Sequence, residues 1–305
     1  MVDTAAPFLA RSPRLRKALA PLLFVVALLF FLFQTFPYET LSQRIVSEAR
    51  TAGYDLSIGT LSHAGLLGLS ATDVHIKSIN ADAPGGPLEL KLEKLVLKPE
   101  LLGLVLRRTA VAFNVEAYGG NAHGLVRVSN DPKAPGLSAL QLTADAFDLK
   151  SLPPSLVEGI EMIGQLGIQA DVSSLQALEG SAGTISFALK GSALVKGMVM
   201  GFPLPKVMLG DLTGSMAIDK GLAKLEKMQL RGGDVDAEFE GSVRLKPLLM
   251  ASQADLKVHL KPKDSWLDAN PLVKGSMGFL GPKQGDGYWV TVTGPLSHMT
   301  PRPGK

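Results

Sequence analysis

TAVAFNVEAYGGNAHGLVRVS, from Thr109 to Ser129, is the stretch that decides the fold class. Its first part alternates apolar and polar positions, and this period of two is typical of a β-strand with one apolar face. Gly119 and Gly120 follow, and glycine tolerates the positive φ angles that a tight hairpin turn requires. The stretch therefore predicts two antiparallel strands joined by a short turn.

A second stretch, LRGGDVDAEFEGSVRL from Leu230 to Leu245, has the same plan. Gly232 and Gly233 stand where a hairpin turn is expected, and an alternating strand follows them. Each outgoing strand holds an internal glycine, Gly124 or Gly241, which marks a bend or bulge in a broad sheet. We interpret the two stretches as equivalent hairpins of a repeated antiparallel β-protein.

The same alternation continues from Tyr54 almost to the end of the chain, so the fold class is mainly β. The apolar side of the clearest strands is a candidate groove, although it is equally the pattern of a closed core. Period two fixes the faces of strands and leaves their pairing open, so two β-sandwich halves are an alternative architecture. The candidate groove or core face comprises Leu88, Leu90, Leu92, Val111, Phe113, Val115, Val235, Phe239 and Val243.

Two segments predict short helices. A capping-box pattern begins at Thr40, and apolar positions at helical spacing continue to Ala49, which predicts a helix over about 39–51. In 151–167, Leu156, Ile160 and Ile163 recur at helical spacing after two prolines. We expect a helical connector there, between a first β half at 38–150 and a second at 168–305.

The N-terminus predicts a single transmembrane anchor at 18–37. The run ALAPLLFVVALLFFLF has no polar side chain, and with its flanks it reaches the length that a bilayer requires. Bulky rings occupy the positions that signal cleavage would need, so we expect an uncleaved anchor. Residues 1–17 are basic and should stay in the cytoplasm, which places the rest of the chain in the periplasm of a bacterium.

The basic residues of this N-terminus account for the whole formal net charge of +3. Because the remaining chain is neutral and has no pattern of a nucleic-acid-binding motif, we expect no nucleic-acid partner. The absence of cysteine means that no disulfide supports the exported part.

No arrangement of residues indicates catalysis. The five histidines are far apart in sequence, and none has a second ligand at the spacing of a metal site. His75, His123 and His259 fall on the predicted polar faces of strands, which favours surface positions. The nucleophile-elbow, zinc-protease, phosphate-loop and dinucleotide motifs do not occur. We therefore expect a protein that is not an enzyme and has no cofactor or metal.

The order of these features resembles the type II secretion system protein N family, in the form found in myxobacteria and related bacteria. The resemblance rests on the blocks Gly65–Ile76, Leu88–Leu106, Tyr118–Val128 and Thr293–Pro301. It implies an accessory component of the secretion machine in the inner membrane, with other inner-membrane or periplasmic components as partners. The related AsmA-like periplasmic proteins imply a strongly curved sheet with an apolar groove.

Two hypotheses on function follow. The first is a membrane-tethered scaffold of the secretion apparatus that presents its sheet edges and loops to other subunits. The second is a lipid-handling protein in which the apolar side of the sheet holds the acyl chains of phospholipid. A sheet that closes on itself would leave no room for lipid, so the two hypotheses depend on whether this face is open.

Overall fold

The protein is described here by a computed structural model that covers residues 37–51, 53–65, 67–79, 89–100, 109–129, 136–152, 161–175, 178–199, 202–203, 205–246 and 251–304. Fourteen strands form one antiparallel sheet in which each strand pairs with its neighbours in chain order. The first and last strands of the sheet do not pair with each other, so the sheet is open. The two-sandwich alternative is therefore wrong for the described strands.

Among the described residues, one α-helix precedes the sheet and two short α-helices lie near its end. They are α1 (Tyr38–Thr51), α2 (Asp264–Ala269) and α3 (Pro271–Ser276). The strands of the first part are β1 (Tyr54–Ala64), β2 (Gly68–Ser78), β3 (Glu89–Pro99), β4 (Thr109–Ala117), β5 (Gly120–Val128), β6 (Leu137–Asp148), β7 (Glu161–Ser173) and β8 (Ala182–Lys196). The later strands are β11 (Val207–Asp219), β12 (Leu222–Gly232), β13 (Val235–Arg244), β14 (Gln253–Pro262), β15 (Tyr288–Pro295) and β16 (Thr300–Pro303), while β9 (Met198–Val199) and β10 (Phe202–Pro203) pair only with each other.

The helix predicted over 39–51 is confirmed by α1, which packs against β1. The helical connector predicted at 151–167 is wrong for residues 161–167, which begin β7. The prediction fails because Met162, Leu166 and Ile168 also fit the period of two that is typical of a strand. Pairing with β6 and β8 then satisfies the backbone hydrogen bonds of this segment. Residues 153–160 lie outside the described part, and the strands on either side of them, β6 and β7, pair directly with each other.

Directly opposed residues build a row of nonpolar positions across the whole sheet. Each member faces the next on the neighbouring strand, so all of them lie on one face. From β1 to β16 the row is Leu61, Ala71, Leu95, Val115, Ala122, Ala144, Ile168, Phe187, Gly214, Met228, Phe239, Val258, Val290 and Pro303.

In the part of the chain that the structure describes, the backbone of each strand lies chiefly against its sheet neighbours, and the clusters of buried side chains are small. The positions that are fully buried are therefore mostly small, such as Ala122 and Ala144 in the nonpolar row. The larger members of the row, including Leu95, Ile168 and Phe187, remain only half-buried. A sandwich core would bury side chains of this size completely.

The two ends of the sheet differ in how they limit further strand pairing. At the β16 end, Pro301 and Pro303 lack the backbone N–H that another strand would need, and Arg302 adds a charge. At the other end, α1 runs beside β1, with its Arg50 paired to Asp55 and its Tyr38 ring near His63. Both devices are common on edge strands.

Candidate functional site: the apolar face of the sheet

The predicted face residues of the first half lie in two neighbouring parts of the sheet. Leu90 and Leu92 in β3 are opposite Ile76 and Val74 in β2. Val111, Phe113 and Val115 all lie in β4, where they face residues of β5 such as Val126, Gly124 and Ala122. Leu88 lies outside the described residues.

A depression of about 380 Å³ opens on this face over β3 to β6. All six side chains that line it are apolar: Leu95, Leu97, Val111, Phe113, Val126 and Leu140. Only Val111 and Phe113 belong to the predicted set. The others were missed because they become neighbours through strand register, which the period of two does not specify.

The predicted residues of β13 lie elsewhere on the same face. Phe239 packs against a cluster formed by Leu230, Ala237 and Val258. Val243 packs against another cluster that includes Ile218 and Val172, and Val235 is opposite Pro262. Seven strand spacings separate β4 from β13, or roughly 34 Å at about 4.8 Å each. The predicted residues therefore form two separate regions on one continuous face of the sheet.

Two aromatic rings of this face lie over glycines of the next strand. A Cβ placed on Gly124 would approach the Phe113 ring to 2.9 Å, and one placed on Gly214 would approach the Phe187 ring to 2.5 Å. Rings over glycines replace the missing side chains and still leave one side open to solvent. The glycines thereby give the face flat aromatic surfaces without a second layer.

The four glycines predicted as turns lie at two hairpins. Tyr118 and Gly119 form the two-residue turn between β4 and β5, with φ angles of 52° and 72°. Such positive angles at both central positions match the twist of a hairpin. Gly120 opens β5, while Gly232 and Gly233 lie at the reversal between β12 and β13.

On the opposite face, a chain of charges links β12, β13 and β14 to the turn at 284–287. Glu238 is paired with Arg231 and Lys261, and Lys261 Nζ lies 3.0 Å from Asp286 Oδ2. The hydrogen bond from Arg231 lowers the pKa of Glu238, and the one from Lys261 lowers the pKa of Asp286. The same contact with Asp286 raises the pKa of Lys261.

His259 departs from the predicted surface position, because only 8% of the residue is exposed. Its ring stacks on the indole of Trp289, with centroids 4.4 Å apart and the planes within 2° of parallel. The turn at 284–287 closes over it, and Asp286 Oδ1 lies 3.4 Å from its Nε2. Cross-strand stacking of this kind is not visible in the sequence pattern.

Within the described ranges, no group of three or more His, Asp and Glu side chains is placed to hold a metal ion. No helix in the same ranges is long and apolar enough to cross a membrane, and residues 18–36 of the predicted anchor lie outside them. No family model, curated protein or solved structure matches this chain.

Proposed function

We propose that this chain is a non-enzymatic, membrane-anchored periplasmic protein that holds phospholipid acyl chains on the apolar face of its sheet. The observation that carries this proposal is the nonpolar row, which passes through all fourteen strands without a polar side chain. An acyl chain needs an apolar surface and no hydrogen-bonding groups. A surface of this extent on one side of a sheet supplies it.

The burial of the face supports an occupant. Large apolar side chains that stay half-exposed forgo part of the roughly 25 cal/mol per Å² that burial would contribute. Contiguous apolar surface in contact with water commonly marks a binding surface. The depression lined by Phe113 and Val126 is the place where an acyl chain would make contacts on several sides.

A charge substitution tests the proposal. Phe113→Asp places a carboxylate on the half-exposed face, and Asn114→Asp places one on the opposite face of the same strand. We expect wild-type protein and Asn114→Asp to retain phospholipid after purification and washing. Phe113→Asp should lose most of it while it remains folded, at a cost of about 1–2 kcal/mol in unfolding free energy.

Lipid phosphorus per chain and thermal unfolding measure the two effects separately. A closed core would lose several kcal/mol to an unpaired buried charge, so an unfolded Phe113→Asp protein would contradict an open face. Equal phospholipid content in a folded Phe113→Asp protein would contradict lipid binding there.

A second candidate function is an accessory role in type II secretion. It rests on the resemblance of the four sequence blocks, from Gly65 to Pro301, to the secretion system protein N family. In this proposal the periplasmic domain is a repeated, strongly curved AsmA-like sheet tethered by the 18–37 anchor. Co-purification with other secretion components, and loss of secretion on deletion, test it. Normal secretion in the deletion strain would exclude it.

A further inference from the structure

A second depression, of about 870 Å³, lies over β4 to β8, and most of its lining residues, Asp171 among them, belong to the face opposite the nonpolar row. Along the depression runs a row of five directly opposed side chains, one from each strand. The row consists of Asn114, His123, Thr143, Gln169 and Ser186. Four of these residues are exposed and Thr143 is half-buried, so the row is accessible from solvent along its length.

None of these five side chains forms a hydrogen bond or ion pair within the described part of the protein. In the parallel row beside them, Gln141 donates to the Asp171 carboxylate at 3.2 Å, so this acidic group is already engaged. The row itself has no carboxylate, ammonium or guanidinium group. It is therefore a line of amide, hydroxyl and imidazole side chains whose hydrogen-bonding groups have no partner among the described residues.

Charged residues begin at the borders of this neutral row. Glu116, two residues beyond Asn114, pairs with Lys94 at 3.5 Å. On the side of β11 and β12, Ser215 and Lys227 continue the row, and Glu226 accepts a hydrogen bond from Ser215. Elsewhere the same face has the Arg231, Glu238 and Lys261 chain. Asp171, two residues from Gln169, also lines the depression, so a charged ligand would find its partners beside the row, whereas the row itself suits a neutral ligand.

The chemistry of the row matches hydroxyl groups. Amides, hydroxyls and a neutral imidazole can each both donate and accept a hydrogen bond. A sugar hydroxyl also does both. The five side chains repeat at the strand spacing of about 4.8 Å and cover roughly 19 Å. This spacing is close to the length of one sugar residue in an extended chain, so successive sugars could each meet one strand.

We infer that the row from Asn114 to Ser186 binds a neutral, extended polysaccharide across β4 to β8. No aromatic side chain belongs to the row, so the affinity is weak and rests on hydrogen bonds. The site lies on the face opposite the nonpolar row and does not depend on lipid binding there.

Ligand-observed saturation-transfer NMR with cellohexaose tests this inference, using the full chain in a detergent without a sugar headgroup. We expect saturation transfer to the sugar, with binding weakened about fivefold by Asn114→Ala and by Gln169→Ala, since each removes one hydrogen-bonding group. Gln229→Ala is the matched control, because it removes an exposed amide of the same face in β12. Thermal unfolding of all three variants verifies that they are folded.

The absence of transfer to cellohexaose at millimolar concentration would overturn the inference, as would unchanged binding in both row variants. Maltohexaose, whose α-linkages give a helical chain, is the control ligand. Equally strong binding of maltohexaose would overturn the extended geometry proposed for the ligand.

Discussion

Gly124 in β5 lies where the strands leave no space for a side chain. A Cβ at this position would come within 1.9 Å of the Gln141 carbonyl oxygen in β6 and would also meet the Phe113 ring. The sequence pattern predicts a special role for this glycine because it interrupts an alternating strand. The reason, a ring and a carbonyl from two different strands, depends on pairing that only the structure gives.

Gly124→Ala should therefore destabilise the protein by about 1–3 kcal/mol, because the β5–β6 ladder and the Phe113 ring must move. Gly275→Ala is the matched control, since nothing lies within 4 Å of a Cβ there and alanine favours the helical backbone of α3. Chemical denaturation measures both variants. Equal stability of Gly124→Ala and wild type would show that the strands are not packed as closely as described.

At the scale of elements, the strands could be predicted and their interruptions could not. The alternation of Val74 and Ile76 with polar residues predicts β2, and these residues face Leu92 and Leu90 of β3. Asp73, however, has a φ of 51°. On its C-terminal side the buried apolar position has an even number, Val74, whereas on its N-terminal side it has an odd number, Ala71. A single residue in the left-handed region shifts the pattern, and sequence periodicity has no signal for it.

An ion pair between Asp286 and Lys261 connects the turn at 284–287 to strand β14. Asp286 and Glu238 have lowered pKa values, so each stabilises the folded state fully above its ordinary pKa, about 3.9 for Asp and 4.3 for Glu. This stabilisation is lost as the pH falls through the lowered pKa of the folded state. Because these side chains are substantially exposed, the effect is small and screened by salt.

We expect the melting temperature to fall between pH 5 and pH 3, and to fall less in Asp286→Asn and Glu238→Gln, which lack the titrating groups. Glu179→Gln, an exposed carboxylate outside this chain of charges, is the control. Thermal unfolding at each pH provides the comparison. An identical acid-induced loss in wild type and in both variants would mean that the ion pairs do not hold the turn.

At the scale of the whole molecule, the apolar face could be predicted residue by residue but not as a surface. Val111, Phe113 and Phe239 are recognisable as apolar from alternation alone. Their separation across seven strand spacings, and the unbroken nonpolar row between them, follow from the order of the fourteen strands. The strand order also shows that the sheet is open, because its first and last strands do not pair with each other. The alternation of apolar and polar residues does not determine this.

Photo-crosslinking in cells tests the central claim, that this face holds acyl chains, most directly. The full chain would contain p-benzoylphenylalanine at Phe113 or Phe239 on the apolar face, or at the neighbouring Asn114 or Glu238 on the opposite face. Irradiation of cells grown with radiolabelled phosphate should attach labelled phospholipid at positions 113 and 239 and not at 114 and 238. Absence of labelled lipid at both apolar positions, or equal labelling on the two faces, would contradict the account.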